Sequence, residues 1–259
     1  MILIDTHTHL YSDAFNEDRA EVIQRALEQN VKRFIVPAID TSYFEAMWDL
    51  KKQFPEIIHL MMGLHPCSVK NENYKEELDF VKKELETGQY IAVGEIGVDL
   101  YWDQSTLDIQ QEVFQQQIKW SKKFGLPINI HCRDAFKETF EVLEQERGEL
   151  TGIFHCFTGT LEDAHRAIDL GLKLGIGGVV TFKNGKIDQF LSEIPLKHIV
   201  LETDAPYLAP TPFRGKRNES AYLSLIAQRL AAIYGQTVAQ IAKQTSENAI
   251  EVFKKGVKI

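Results

Sequence analysis

Cysteine is scarce in this 259-residue chain. Cys67, Cys132 and Cys156 are odd in number and share no paired spacing, which excludes a disulfide framework and points to a reducing compartment. Long apolar runs are missing too, so no segment approaches the roughly 18–20 residues of a membrane span. The chain passes from Met1 through Ile2, Leu3 and Ile4 straight to Asp5. With no basic lead, that start reads as neither a signal peptide nor an anchor, and the expected compartment is the cytoplasm. No stretch is rich enough in Pro, Gly or Ser to act as a linker, which predicts one domain over 1–259. Positive charge is in deficit, with 29 Lys and Arg against 37 Asp and Glu and a net charge of −8. A broad nucleic-acid-coating surface is therefore excluded, and any polyanion must be captured locally. The dense basic segment is Phe213-Arg-Gly-Lys-Arg.

What the chain does have is a regular alternation of short apolar runs and amphipathic helices. Strands are predicted at 1–4, 33–39, 57–64, 90–96, 127–131, 152–155, Leu172–Ile176 and 199–203. Helices are predicted at 17–30, 42–53, 73–86 and Leu107–Phe124, with strands five and six each introduced by a helix. Two more follow, one marked by Leu223, Ile226, Ala227, Leu230 and Ile233, the other by Val238, Ile241, Thr245, Ala249 and Val252. This alternation implies parallel strands with right-handed crossovers, and the length suits an α/β fold of the TIM (β/α)8 barrel type. A doubly wound open sheet is the rival, but it does not gather many strand ends at one place.

Those strand ends carry the chemistry. Five of the eight histidines, His7, His9, His65, His131 and His155, fall where strand-like runs stop. Random placement would leave about half a histidine there. Glu95 and Asp204 end two further runs. In a barrel these carboxyl-terminal ends share one face, so residues scattered over the chain become one site. His7 and His9 are two apart and share a face, while Thr6 and Thr8 turn away. One His-x-His triplet is weak, but the coincidence with Glu95, His131, His155 and Asp204 points to a metal centre.

Six nitrogen and oxygen donors are too many for one open tetrahedral site and suit two divalent ions sharing a bridge, for which Glu95 is the candidate. Imidazole and carboxylate together suit Zn, Mn, Fe or Ni, with Mg where supply favours it. Two such ions lower the pKa of a shared water from 15.7 toward about 7. Asp204 is the expected partner of one ion and of that water, and Glu202, two residues deeper, either supports the site from behind or is a buried structural carboxylate. Two divalent ions, two carboxylates and one hydroxide leave a net charge of about +1, which favours an anionic substrate such as a phosphodiester. Arg133, Arg214, Lys216 and Arg217 offer donors for phosphate oxygens, although basic loops are as often merely solvated. His65 reads as a substrate contact or a hydrogen-bonded structural residue. Tyr101 and Trp102, after the fourth strand, read as a surface for stacking a base or as loop anchors. Parity sends Cys132 and Cys156 toward the helix layer as small apolar residues. His59, His165 and His198 lie at a strand start or on helices and are read as ordinary.

The segments Ile4-Asp-Thr-His-Thr-His-Leu, Gly63-Leu-His-Pro, Val93-Gly-Glu-Ile-Gly-Val-Asp-Leu-Tyr-Trp, Ile130-His-Cys-Arg, Phe154-His-Cys-Phe-Thr-Gly, Leu201-Glu-Thr-Asp-Ala-Pro-Tyr and Arg214-Gly-Lys-Arg-Asn follow one another over essentially the whole chain. Together they resemble the TatD family of metal-dependent deoxyribonucleases. The resemblance implies an amidohydrolase-type barrel and metal-dependent hydrolysis of DNA, often trimming single strands from the 3′ end. It also implies one metal on His7, His9, Glu95 and Asp204 and another on Glu95, His131 and His155. A monomer is expected, with DNA as substrate and no membrane association. The competing reading is a hydrolase of amide, lactone or ester bonds in a small molecule; such relatives often bridge their metals with a modified lysine on the fourth strand, where this chain has Glu95. A structural metal in a binding protein is a third reading, disfavoured because structural zinc sites are closed and cysteine-rich.

Overall fold

The computed structural model describes residues 1–254 and 256–257, so positions 255, 258 and 259 of the predicted 1–259 unit lie outside the described residues. Eight strands form in chain order: β1 (Leu3–Asp5), β2 (Val31–Val36), β3 (Ile58–Met62), β4 (Ala92–Asp99), β5 (Ile128–Arg133), β6 (Gly152–Phe154), β7 (Leu172–Ile176) and β8 (Ile199–Leu201). Each pairs in parallel with the next, giving the spatial order β1 to β8. The sheet curls until its edges meet. Both the backbone N–H and the hydroxyl of Thr6 donate to the Leu201 carbonyl, each at 3.0 Å, and the TIM barrel is nearly closed.

Helices α1 (Arg19–Glu28), α2 (Phe44–Gln53), α3 (Tyr74–Glu86), α4 (Leu107–Phe124), α5 (Phe136–Gln145) and α6 (Leu161–Asp169) alternate with β1 to β7, short 3-10 turns alone join β7 to β8, and α7 (Leu223–Tyr234) and α8 (Val238–Val252) follow the last strand. Two start at capping boxes, Thr160 with Asp163 and Thr237 with Gln240, which satisfy backbone N–H groups that the first turn leaves over. The fully buried residues Phe34, Ile130, Phe154 and Leu174 pack against the helices in the main core. The alternate strand positions Ile4, Ile35, Met61, Ala92, Ile153 and Val200 form a second cluster with Ala249, Val252 and Phe253. That helix does more than complete an outer ring. Ser246 Oγ donates to the Ile2 carbonyl at 2.9 Å, and Asn248 Nδ2 to the Leu196 and Ile199 carbonyls, so α8 covers the end where strands begin. The other end stays open for chemistry.

Two differences from the sequence expectation bear on that open end. Strands β6 and β8 stop at Phe154 and Leu201, before His155 and Thr203, so the functional side chains leave from turns and not from the ladder. Cys156 and Asp204 take left-handed backbone conformations, with φ of 43° and 56°. Among the described residues, no helix is long and apolar enough to cross a membrane.

Candidate metal centre

Backbone pairing past the strand ends assembles the first half of the site. Beyond β1, the Asp204 N–H donates to the His7 carbonyl at 2.9 Å and the His9 N–H to the Ala205 carbonyl at 2.8 Å. This sets His7, His9 and Asp204 side by side although nearly 200 residues separate them. Asp5 locks the junction by accepting from the Thr203 N–H at 2.9 Å and the Thr203 hydroxyl at 2.6 Å. Burial pushes the Asp5 carboxyl up to about 7, against the pull of those bonds. Thr8 turns away as expected, with its hydroxyl 3.3 Å from that of Ser220.

The second half depends on close approach. A Cβ at Gly97 would collide with the His131 carbonyl, and its φ of 148° disfavours any other residue, so β4 and β5 come together only with glycine there. Gly175 clears space in the same way for the Glu202 carboxylate.

Glu95 lies at the middle of the result, and its two oxygens divide the histidines. Oε2 is 3.2 Å from His7 Nε2 and 3.7 Å from His9 Nε2. Oε1 is 2.9 Å from His131 Nδ1 and 3.7 Å from His155 Nε2. Asp204 Oδ1 stands 3.3 Å from His9 Nε2 and 3.8 Å from His7 Nε2. Within the groups His7–His9–Glu95 and His7–His155–Asp204, the donor atoms lie within 4.8 Å of one another.

Each of the four imidazoles is also met from behind. His7 Nδ1 is 2.8 Å from Asn129 Oδ1, His9 Nδ1 is 2.9 Å from the Tyr11 hydroxyl and His131 Nε2 is 2.8 Å from Asp99 Oδ2. His155 Nδ1 makes no aligned hydrogen bond but lies 2.9 Å from Glu202 Oε1. Placing a proton on each outward nitrogen leaves the inward one with a free lone pair, the tautomer that a cation requires. Asn129, Tyr11 and Asp99 were missed in the sequence.

His65 differs from these four. Its Nδ1 accepts from the Cys67 N–H at 3.1 Å, so in the neutral ring Nε2 carries the proton, 3.4 Å from Glu95 Oε1. Burial lowers the His65 pKa, against the opposing pull of Glu95, which favours that neutral ring. In that tautomer it is a donor into the cavity, while with Glu95 and His131 it also forms a group whose donor atoms lie within 4.8 Å of one another.

The electrostatics fit a cation. Burial alone would raise Glu95, yet His7, His65 and His131 outweigh it and hold the carboxyl well below its ordinary value. Asp204 is likewise lowered against burial, by His9, His155 and His7. Burial opposes a proton on His131, but Asp99 and Glu95 carry it up to about 9, and Glu202, Glu95 and Asp204 raise His155 in the same sense. Carboxylates that draw protons onto these rings would draw a metal ion in competition. Glu95 Oε2 is buried with no aligned hydrogen-bond donor, and His7 Nε2 lies 3.2 Å from His9 Nε2. A cation accepting these lone pairs reconciles both, so the donor set fits metal.

The model of the TatD-related DNase family matches residues 4–254. The chain belongs to this family. It is 38% identical to the uncharacterized metal-dependent hydrolase YabD of Bacillus subtilis, over 98% of this chain and 99% of that one. It is 32% identical to the metal-dependent hydrolase YcfH of Escherichia coli, over 98% and 96%. The crystal structure of the E. coli TatD homologue YjjV superposes with a TM-score of 0.91 at 29% identity, covering 97% of this chain and 98% of that one. The chain is thus a TatD-family metal-dependent hydrolase with a TIM barrel.

In this TatD-family hydrolase His9, His65, Glu95, His131, His155 and Asp204 form the floor of a cavity of about 890 Å³, with His7 fully buried just beneath it. Arg133, Arg214 and Lys216 line it, as do Trp102, Tyr207 and Phe182. The Arg133 guanidinium stacks 3.6 Å from the Tyr101 ring and that of Arg214 3.4 Å from Phe182. Neither these guanidiniums nor the Lys216 ammonium has a hydrogen-bond partner among the described residues, so their donors face the cavity unspent. Arg217 is a correction. It is not a lining residue, because its guanidinium forks onto Asp18 at 2.7 Å and reaches Glu219 at 3.1 Å. Cys132 packs against the main core as a small apolar residue, as expected, and also borders the cavity. Cys156 is a second correction: it lines the cavity beside His155 and Glu202, because β6 has ended and strand parity no longer governs it. Burial raises both thiols, Cys132 to about 12, which favours the protonated thiol over the thiolate. His59, His165 and His198 are not lining residues.

Proposed function

We propose that this hydrolase cleaves phosphodiester bonds of DNA, removing nucleotides from the 3′ end of single strands. Two divalent ions would be held, one by His7, His9, Glu95 and Asp204 and one by Glu95, His131 and His155, with Glu95 as the bridge. Bound there, the ions supply a water of lowered pKa and neutralise phosphate charge. The observation that carries the reading is the division of Glu95, whose Oε2 faces one imidazole pair and whose Oε1 faces the other, beneath cations with unspent donors.

The chain's own groups then have distinct tasks. Asp204, with 14% of its side chain exposed against 3% for Glu95, is the acid open to the cavity and is positioned to take the proton of an attacking water. His65 Nε2–H donates to a phosphate oxygen. Arg133, Arg214 and Lys216 hold the neighbouring phosphates, and the fork geometry of arginine suits them. Glu202 and Asp99 keep His155 and His131 facing inward. A reaction centre on the floor of an open cavity favours a strand end that can be threaded over the side of a rigid duplex. Two carboxylates among four imidazoles suit Zn, Mn, Fe or Ni more than Ca.

Product mapping on single-stranded DNA labelled at either end, with Mg, Mn and Zn in turn, tests this directly. Stepwise release of mononucleotides from the 3′ end is expected. Intact DNA, together with turnover of amides or lactones, would replace the proposal with the small-molecule reading.

A further inference from the structure

Large apolar side chains exposed on this protein are not scattered. Among the described residues six are prominent: Met1, Tyr43, Tyr101, Trp102, Tyr207 and Leu208. Tyr43, Trp102, Tyr207 and Leu208 line the cavity, and Tyr101 adjoins Trp102 in the loop after β4. Trp102 is the extreme case at 70% exposed. Single exposed apolar residues need no explanation, but a cluster around one opening does.

The loop does not need Trp102 as an anchor. Asp99 Oδ1 accepts from the Tyr101 N–H at 3.0 Å and the Trp102 N–H at 3.3 Å, while Gln110 accepts from the Asp99 N–H at 2.8 Å and donates to the Asp99 carbonyl. The Leu100 N–H donates to the Arg133 carbonyl at 3.0 Å. An anchoring ring would be buried, and this one is displayed. Tyr101 meets Trp102 edge-on at 4.9 Å, with an interplanar angle of 89°. Arg133 covers a face of Tyr101 at 3.6 Å and lies 5.7 Å from the indole. The result is a hydrogen-bonded corner with a largely exposed indole and an adjacent guanidinium that has no hydrogen-bond partner among the described residues. The Asp99 carboxylate that fixes this corner also meets His131, whose other nitrogen faces Glu95.

The geometry points to Trp102 as a stacking platform for one nucleobase of the substrate, with Arg133 on the phosphate beside it and Asp99 holding the platform in register with the reaction centre. This rests on the DNA reading above and adds a defined base subsite to it. Every base has a π-face, so the subsite tolerates any sequence and selects for a base being present.

Fluorescence and abasic substitution together test it. The three tryptophans are Trp48, which is half-buried and donates to Tyr90, Trp120, which is 8% exposed, and Trp102. Titrating the metal-loaded protein with a non-hydrolysable phosphorothioate oligonucleotide is expected to quench tryptophan emission in the wild type but not in Trp102→Phe. Trp102→Ala should bind roughly five- to hundredfold more weakly. Removing the base at one position of the strand should weaken wild-type binding by a similar factor, and that penalty should vanish in Trp102→Ala. Equal binding by wild type and Trp102→Ala, or equal abasic penalties at every position in both, would overturn the platform while the DNA reading stands. A wild type that binds no oligonucleotide would overturn both.

Discussion

At the floor of the cavity, His7, His9 and His131 each have a ring nitrogen held from behind, by Asn129, Tyr11 and Asp99, and the side chains of Glu95 and His7 are at most 3% exposed. At the rim, Arg133, Arg214 and Lys216 have no hydrogen-bond partner among the described residues, and Trp102 and Tyr207 are more than half exposed. Buried polar groups must be satisfied or they cost stability, so the held rings orient the floor and the lone pairs left over, such as Glu95 Oε2, suit a small charged centre. Exposed groups carry no such demand and can adapt to a polymer whose bases vary. Fixed chemistry below and adaptable capture above is the division of labour that the comparison teaches.

The largest effect should come from breaking the floor at its centre. Glu95→Ala removes the carboxylate shared by both imidazole pairs, and turnover should fall on the order of 10³-fold or more. Metal analysis should then show a content of one ion or none, against two in the wild type. Retention of both would remove the bridge from the account.

Support from behind should matter less, but measurably. Glu202→Gln and Asp99→Asn leave the inward donors in place and lose only the charge that orients them. Metal affinity, read by competition with a chelator, should drop by about 10- to 100-fold in each. An unchanged affinity would mean that these acids are merely buried.

Rim changes should act on capture. Arg214→Ala should raise KM for oligonucleotides and reduce the slope of log affinity against log salt by about one. Arg217→Ala should leave that slope alone, because its donors are already spent on Asp18 and Glu219. The same two titrations with equal slope changes would erase the distinction between free and committed cations.

The smallest effect lies outside both regions, in the strap that ties the basic loop to α1. Hydrogen bonding from Arg217 holds Asp18 at about 2, below its ordinary 3.8. A carboxyl depressed in the fold stabilises it fully above the unfolded value, and that contribution is lost as pH falls through the folded one. Asp18→Asn should therefore cost at most about 1 kcal/mol at neutral pH, given the exposure of the pair, and the deficit should shrink between pH 4 and pH 2. Urea midpoints of the two metal-free proteins across that range would show it.

Much of this was legible in the chain because a barrel turns strand ends into one address. His7, His9, His131 and His155 were found by where their apolar runs stop, without knowledge of any contact. The supporting groups were harder, since Asn129 meets His7 across 122 positions. A signal existed all the same: Asn129 precedes His131 by two residues as Glu202 precedes Asp204, and Tyr11 follows His9 by two. The parity that picked out Glu202 applies equally to Asn129 and Tyr11. Asp99 needed knowledge that β4 continues past Ile96, and a Gly-rich run does not announce its end. Cys156 was misread because a left-handed residue ends strand parity, and nothing in its sequence neighbourhood required that conformation. Arg217 could not be told from Arg214 by composition. Only the fold shows that one faces Asp18 and the other the cavity.

Anomalous diffraction from crystals grown with manganese tests the central claim most directly. Two peaks about 3.5 to 4 Å apart, one on each side of the Glu95 carboxylate and flanked by the His7–His9 and His131–His155 pairs, are the predicted result. A solitary peak under saturating metal, or peaks that leave Glu95 uncoordinated, would contradict it.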